Sequence, residues 1–337
     1  MPETKHTIRE LTGCKPDQLS DDVLCSTEPL VLRGLVADWP FVKAGLKSAD
    51  AADKYMRRFY KGAGVTSFYG SPELDGRVFY NEAMTAPNTK SVRSSFTQVL
   101  DKLKEIAGDD APPLLYMGST TVDACLPGFR SENDLEIPDS DPLVSIWVGN
   151  QSRIAAHHDL PENIACVAVG RRRFTLFPPE QISNLYIGPL DVTPAGQSIS
   201  MVDFKNPDFE QFPKFRKALD QARVVEMEPG DALFIPSMWW HHVEALDSFN
   251  ILVNYWWRRT PEYMGPPIGA LIHSIMTIRD LPSEQKQHWK AFFDHYVFEN
   301  DDETAGHLPP EGQGILAPMT DDLSRKIRTF LLNKLNN

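Results

Sequence analysis

Residues 155–179 read Ala-Ala-His-His-Asp-Leu-Pro-Glu-Asn-Ile-Ala-Cys-Val-Ala-Val-Gly-Arg-Arg-Arg-Phe-Thr-Leu-Phe-Pro-Pro. The apolar runs at 163–169 and 174–177 are too short for helices and carry β-branched and aromatic residues. Gly170 and three arginines separate them, so two consecutive strands are predicted, preceded by a third that bears the histidines. The same texture continues outward from about 113 to 260: PLLYMG (113–118), LVSIWVG (143–149), ALFIPSMWW (232–240) and NILVNYWW (250–257) alternate with Pro, Gly, Asn and Asp. That is the rhythm of an antiparallel β sandwich or barrel. Pro229-Gly230 marks a turn with Asp231 beginning the next strand, read here as a short hairpin that delivers His241 to the mouth of the barrel.

Helical spacing appears on both sides of this core. Phe96, Val99, Leu100, Leu103 and Ile106 line one face of a helix predicted over 96–107, and three more helices are predicted near 268–280, 283–298 and 320–335. The expected organisation is an N-terminal α/β elaboration (1–112), a β-rich core (113–260) and C-terminal helices (261–337). The fold class is mainly β with flanking helices.

Composition narrows the function. The 337 residues include 34 Lys and Arg against 46 Asp and Glu, a net charge of −12, which disfavours nucleic acid or an anionic membrane as partner. Four cysteines, Cys14, Cys25, Cys125 and Cys166, form no CxxC pair and suggest a reducing compartment. The opening residues lack the apolar core of a secretion signal, and no run nears the roughly 20 apolar residues of a membrane span. A cytoplasmic protein is expected.

Two histidine pairs lie in the β-rich region, His157-His158 and His241-His242. In an extended strand, positions i and i+2 share a face, so His157 and Asp159 project together while His158 points away. A third ligand would complete a facial two-His-one-carboxylate site, the donor set of non-haem iron oxygen chemistry. The second pair supplies it. Alternation groups Trp239, His241, Val243 and Ala245 against Trp240, His242 and Glu244. The first set is more apolar, so His241 is assigned to the interior and His242 to a more exposed face. Iron in such a site needs a co-substrate to supply two electrons. If that is a 2-oxo acid, its far carboxylate needs a cation in an apolar pocket. Arg172 shares its face with Phe174 and Leu176 and is directed inward, whereas Arg171 and Arg173 are expected in solvent.

Segment 157–179 is followed in order by Val202-Asp-Phe-Lys-Asn-Pro-Asp-Phe-Glu-Gln-Phe-Pro213, Pro229-Gly-Asp, Ile235-Pro-Ser-Met-Trp-Trp-His-His-Val-Glu244 and Val253-Asn-Tyr-Trp256. This ordered set resembles the Fe(II)- and 2-oxoglutarate-dependent oxygenases of the JmjC/cupin-like family. Its motifs lie nearest the asparaginyl hydroxylase branch that inhibits the hypoxia-inducible factor. The resemblance implies a double-stranded β-helix (cupin/jelly-roll) core with helices outside. It implies iron at His157, Asp159 and His241, with 2-oxoglutarate and O2 as co-substrates. Tyr116 falls at the distal carboxylate, Asn163 and Asn254 near the metal-binding end, and Trp256 in the lining. It also implies homodimerisation through the C-terminal helices.

The sequence departs from that pattern in places. Arg172 stands for a lysine and Ile154 for a threonine at the distal carboxylate. Ser198 and Ile199 occupy an Arg-Gln pair that holds the peptide substrate, so a different substrate is expected. Trp239, near the presumed mouth, is expected to line the substrate groove. The reading is a dioxygenase that releases succinate and CO2, hydroxylating a protein side chain, a peptide or a small molecule. Demethylation is disfavoured because no histone-reader or DNA-binding module accompanies the core. The alternatives are a cupin enzyme without a 2-oxo acid, against which Asp159 speaks, and a non-catalytic binding or regulatory protein.

Overall fold

Alternation along the apolar runs decides which side chains meet across the core. A computed structural model describes residues 6–336; the first five residues of the opening stretch read above for a secretion signal lie outside that range. The strands of the N-terminal segment are β1 (Arg9–Thr12), β2 (Leu30–Arg33), β3 (Gly64–Gly70), β4 (Arg77–Val78) and β5 (Lys90–Ser95). They are followed by β6 (Leu114–Thr121), β7 (Leu143–Gly149), β8 (Ser152–His157), β9 (Glu162–Val169) and β10 (Arg172–Phe177). The last four are β11 (Arg223–Met227), β12 (Ala232–Ile235), β13 (Trp240–Ala245) and β14 (Asn250–Trp257).

These strands form two mixed, open sheets. One has nine strands in the order β1-β2-β12-β9-β14-β7-β6-β3-β5, the other five in the order β11-β10-β13-β8-β4. Their inner faces share one apolar cluster: Ile154, Phe174 and Val243 of the smaller sheet meet Ala165, Leu233 and Leu252 of the larger. The result is a jelly-roll sandwich rather than a closed barrel. The outer face of the larger sheet is covered as well. Ile164, Cys166, Phe234, Val253 and Tyr255 pack with Phe41, Val42 and Met56 of helices Pro40–Lys47 and Ala49–Arg57, and with the apolar stripe of helix Phe96–Ile106. Every residue of β9 is therefore buried, which is why its sequence from Ile164 to Val169 reads as an unbroken apolar run.

The turn at Pro229-Gly230 does not make a hairpin. β11 belongs to the smaller sheet and β12 to the larger, so the turn crosses between sheets. Gly230 has φ of 102°, and a Cβ there would sit 3.0 Å from Ala37 Cα, so the crossing needs glycine. Asp231 then anchors it, accepting from the Gly34 amide (2.9 Å) and from Arg33 Nη1 (2.6 Å).

The chain divides into two compact units, the first ending at Arg259 and the second beginning at Thr260. The second is helical: Ile268–Thr277, Ser283–Phe293 running into a π turn at Asp294–Phe298, Asp302–Gly306 and Asp321–Leu335. It keeps Ile272, Met276, Phe292, Phe298, Phe330 and Leu332 exposed. Among the described residues no helix is long and apolar enough to cross a membrane.

Candidate metal centre

His157 and His241 face each other in register on the adjacent antiparallel strands β8 and β13, their ring centroids 4.3 Å apart. β8 ends at His157, so strand alternation alone does not carry Asp159. The turn that follows is splinted by the segment leading into β13. The Met238 amide donates to Asp159 O (2.9 Å), Ser237 Oγ donates to Leu160 O (2.6 Å), and the Ser237 amide donates to Glu162 Oε2 (2.8 Å). One ligand atom from each of His157, Asp159 and His241 then lies within 4.8 Å of the others. Among the described residues this is the one His, Cys or carboxylate group close enough to hold a metal ion.

The ring nitrogens have assigned duties. His157 Nδ1 lies 2.9 Å from Ala155 O, and His241 Nδ1 lies 3.0 Å from Trp239 O. Each carbonyl can only accept, so Nδ1 carries the proton and Nε2 offers a lone pair, the arrangement that orients a metal-binding imidazole. His241 Nε2 lies 3.6 Å from Asp159 Oδ2. Burial, and next the neighbouring His241, hold His157 down to about 4, so it is neutral at physiological pH. Donor set, tautomer and charge all fit a divalent cation with open coordination positions.

The triad opens into a cavity of about 260 Å³ whose lining includes Tyr116, Trp147, Asn163, Arg172, Asn254 and Trp256. Arg172 projects into it beside Ile154, Phe174 and Val243, and is only 4% exposed. Its Nε has no hydrogen-bond partner, and no carboxylate pairs with it among the described residues. Burial lowers Arg172 to about 10, opposed by nearby Tyr116, so it is still a cation at neutral pH. A buried, unpaired guanidinium costs several kcal/mol unless an anion meets it. Burial likewise raises the Tyr116 hydroxyl far above its ordinary range, keeping it a hydrogen-bond donor. The cavity thus fits an organic anion that reaches from Arg172 to the three ligands.

The sequence-based site is assembled in part. His157, Asp159, His241, Tyr116, Asn163, Arg172, Asn254 and Trp256 share one cavity, with Ile154 in its wall. Trp239, Ser198 and Ile199 are not among its lining residues. Trp239 precedes β13 rather than following its alternation. Its indole donates to Thr27 O (3.1 Å), and its ring lies under Arg223 in a separate cavity. Ile199 is fully buried, clustered with Tyr80 and Ala155, and Ser198 is 9% exposed. His242 is buried, not exposed, because the segment after β10 covers the outer face of the smaller sheet and sets Phe204 against the His242 ring at 4.6 Å. Arg171 and Arg173 stay at the surface, paired with Asp247 and Glu226.

Trp147 was missed. Its parity held a signal: Val144, Ile146 and Val148 pack outward, leaving Trp147 as the bulky side chain of β7 that faces the cavity. Phe68, Ser119 and the Pro194-Ala195-Gly196 segment also line it and carry no motif.

The chain belongs to the cupin-like domain family, whose model matches residues 16–263 of the 337. Its relatives include HSPB1-associated protein 1 from Rattus norvegicus, 35% identical over 264 residues that cover 72% of this chain and 51% of the relative. Lysine-specific demethylase 8 from Xenopus tropicalis is 28% identical, with 72% of this chain and 50% of the relative covered. The tRNA wybutosine-synthesizing protein 5 from Gallus gallus is 34% identical over 145 residues, 39% of this chain and 42% of the relative. The chain spans about half the length of the curated relatives it matches.

Proposed function

We propose that the protein is an Fe(II)- and 2-oxoglutarate-dependent oxygenase acting as a hydroxylase on a protein side chain, a peptide or a small molecule. The observation that carries this reading is Arg172, a buried cation without a counter-ion at the wall of the cavity that also holds His157, Asp159 and His241. Bound iron, with 2-oxoglutarate and O2, supplies a two-electron oxidation of a substrate C–H bond coupled to release of succinate and CO2. The chain's own residues set the conditions. Three ligands on one side leave the remaining coordination positions to small molecules. Arg172 and the Tyr116 hydroxyl receive the distal carboxylate, the guanidinium with a planar fork that matches it. Phe68, Val78, Trp147 and Trp256 keep the cavity apolar, so water is held away from the oxidising centre.

Hydroxylation is favoured over demethylation on charge. Asp159 is the lone carboxylate in the lining and is engaged as a ligand, so a methylated ammonium finds no free counter-charge there. The relative named lysine-specific demethylase 8 keeps that outcome as the alternative.

The test is turnover. Incubation of the purified protein with Fe(II), O2 and 2-oxoglutarate, without added substrate, is expected to yield slow succinate formation that Asp159→Ala abolishes. Succinate formation at the parental rate in Asp159→Ala would refute the triad.

A further inference from the structure

Two of the site's side chains are amides, which present an oxygen on one edge and an NH2 on the other and can be turned either way. Here their orientation is dictated from both ends. Trp147 Nε1, a group that can only donate, gives its hydrogen to Asn254 Oδ1 at 2.6 Å. That turns Asn254 Nδ2 toward Asn163 Oδ1 at 3.4 Å. Asn163 Nδ2 is thereby left to face Asp159 Oδ2, a carboxylate oxygen that can only accept, at 3.3 Å. The indole of Trp256 donates to the same oxygen at 3.1 Å. All four donors stand on the inner face of three adjacent strands, β7, β14 and β9, where Trp256 lies directly opposite Asn163. At its other edge Trp147 stacks on Tyr116, ring centroids 5.9 Å apart, and Tyr116 is the neighbour of Arg172.

We infer that Trp147 is a positioning residue: acting through Asn254 and Asn163, its indole N–H holds the Asp159 carboxylate in its ligating orientation and ties the anion end of the cavity to the metal end. This rests on the reading of His157, Asp159 and His241 as a metal site. The chain of donors has one polarity only. Removing the indole N–H frees Asn254 to flip, which presents an oxygen to Asn163 Oδ1 and in turn releases Asn163 from Asp159. Partners bonded directly to a metal ligand, as Asn163 and Trp256 are to Asp159, alter metal affinity by about 10- to 100-fold when removed. Trp147, two hydrogen bonds behind Asn163, acts at the low end of that range.

The test uses the full chain and Mn(II) alone, measured by calorimetry, with Co(II) absorption as a second readout. Trp147→Phe keeps the ring and its stacking but lacks the N–H; it is expected to weaken Mn(II) binding about tenfold and to change the Co(II) ligand-field bands. Asn163→Ala is expected to do the same. In the double variant the losses are expected not to add, because both break one relay. Additive losses, or an unchanged Mn(II) affinity in Trp147→Phe, overturn the relay. Should Trp147→Phe not fold, Asn254→Leu breaks the same chain and carries the same expectations. Asp159→Ala separates the two readings. If it binds Mn(II) as the parent does, the metal site itself is wrong. If it loses Mn(II) while Trp147→Phe keeps it, only the relay is wrong.

Discussion

Arg172 sets two quantities in opposition. Its guanidinium is 4% exposed and lacks a charged partner, so it costs folding energy that a bound carboxylate recovers. Arg172→Met is therefore expected to raise the stability of the ligand-free protein by about 1–3 kcal/mol in urea unfolding while weakening 2-oxoglutarate binding at least tenfold. A destabilised variant would contradict that account. His242 makes a pH-dependent contribution. Burial holds it down to about 3, well under the usual histidine value near 6.5. The unfolded chain thus takes up a proton that the folded chain refuses as pH falls below that value. Stability is full above about 6.5 and is lost progressively toward 3. His242→Asn is expected to flatten the fall in melting temperature between pH 6.5 and 4.5.

Strands and turns show how far residues alone could be read. Strands β9, β10 and β14 were legible because short apolar runs rich in β-branched and aromatic residues leave few other options. Three features were hidden. β13 starts at Trp240, and the preceding Met238 has φ of 69°, so strand alternation does not carry from His241 back to Trp239, which nonetheless packs in the apolar cluster of Val243. The burial of His242 depends on a cover layer supplied by Phe204 and Phe215, from a segment remote in sequence. The course of the turn at Pro229-Gly230 depends on sheet membership, which local sequence does not encode. That turn hangs on Asp231, which binds Gly34, Arg33 and the Glu228 amide (3.2 Å). Asp231→Ala strands those donors and is expected to cost about 2–4 kcal/mol, read by denaturant midpoint at unchanged slope.

At the scale of the whole molecule, the second unit raises the question of what covers it. Ile272, Met276, Phe292, Phe298, Phe330 and Leu332 are exposed, and among its described residues Ser324 alone is buried. Apolar faces of this extent are typical of interfaces. We propose that a second copy of the chain covers them. Light scattering is expected to give twice the 38.0 kDa chain mass, falling to a single chain when residues 318–337 are removed. An unchanged oligomer would assign the contact elsewhere.

The most direct test of the account is calorimetric titration of 2-oxoglutarate into the protein with and without Mn(II). One Mn(II) per chain is expected, with oxo-acid binding that weakens at least tenfold when the metal is withheld and again in Arg172→Met. An affinity indifferent to Mn(II), or a protein that takes up no Mn(II), would contradict the joining of metal and anion in a single cavity.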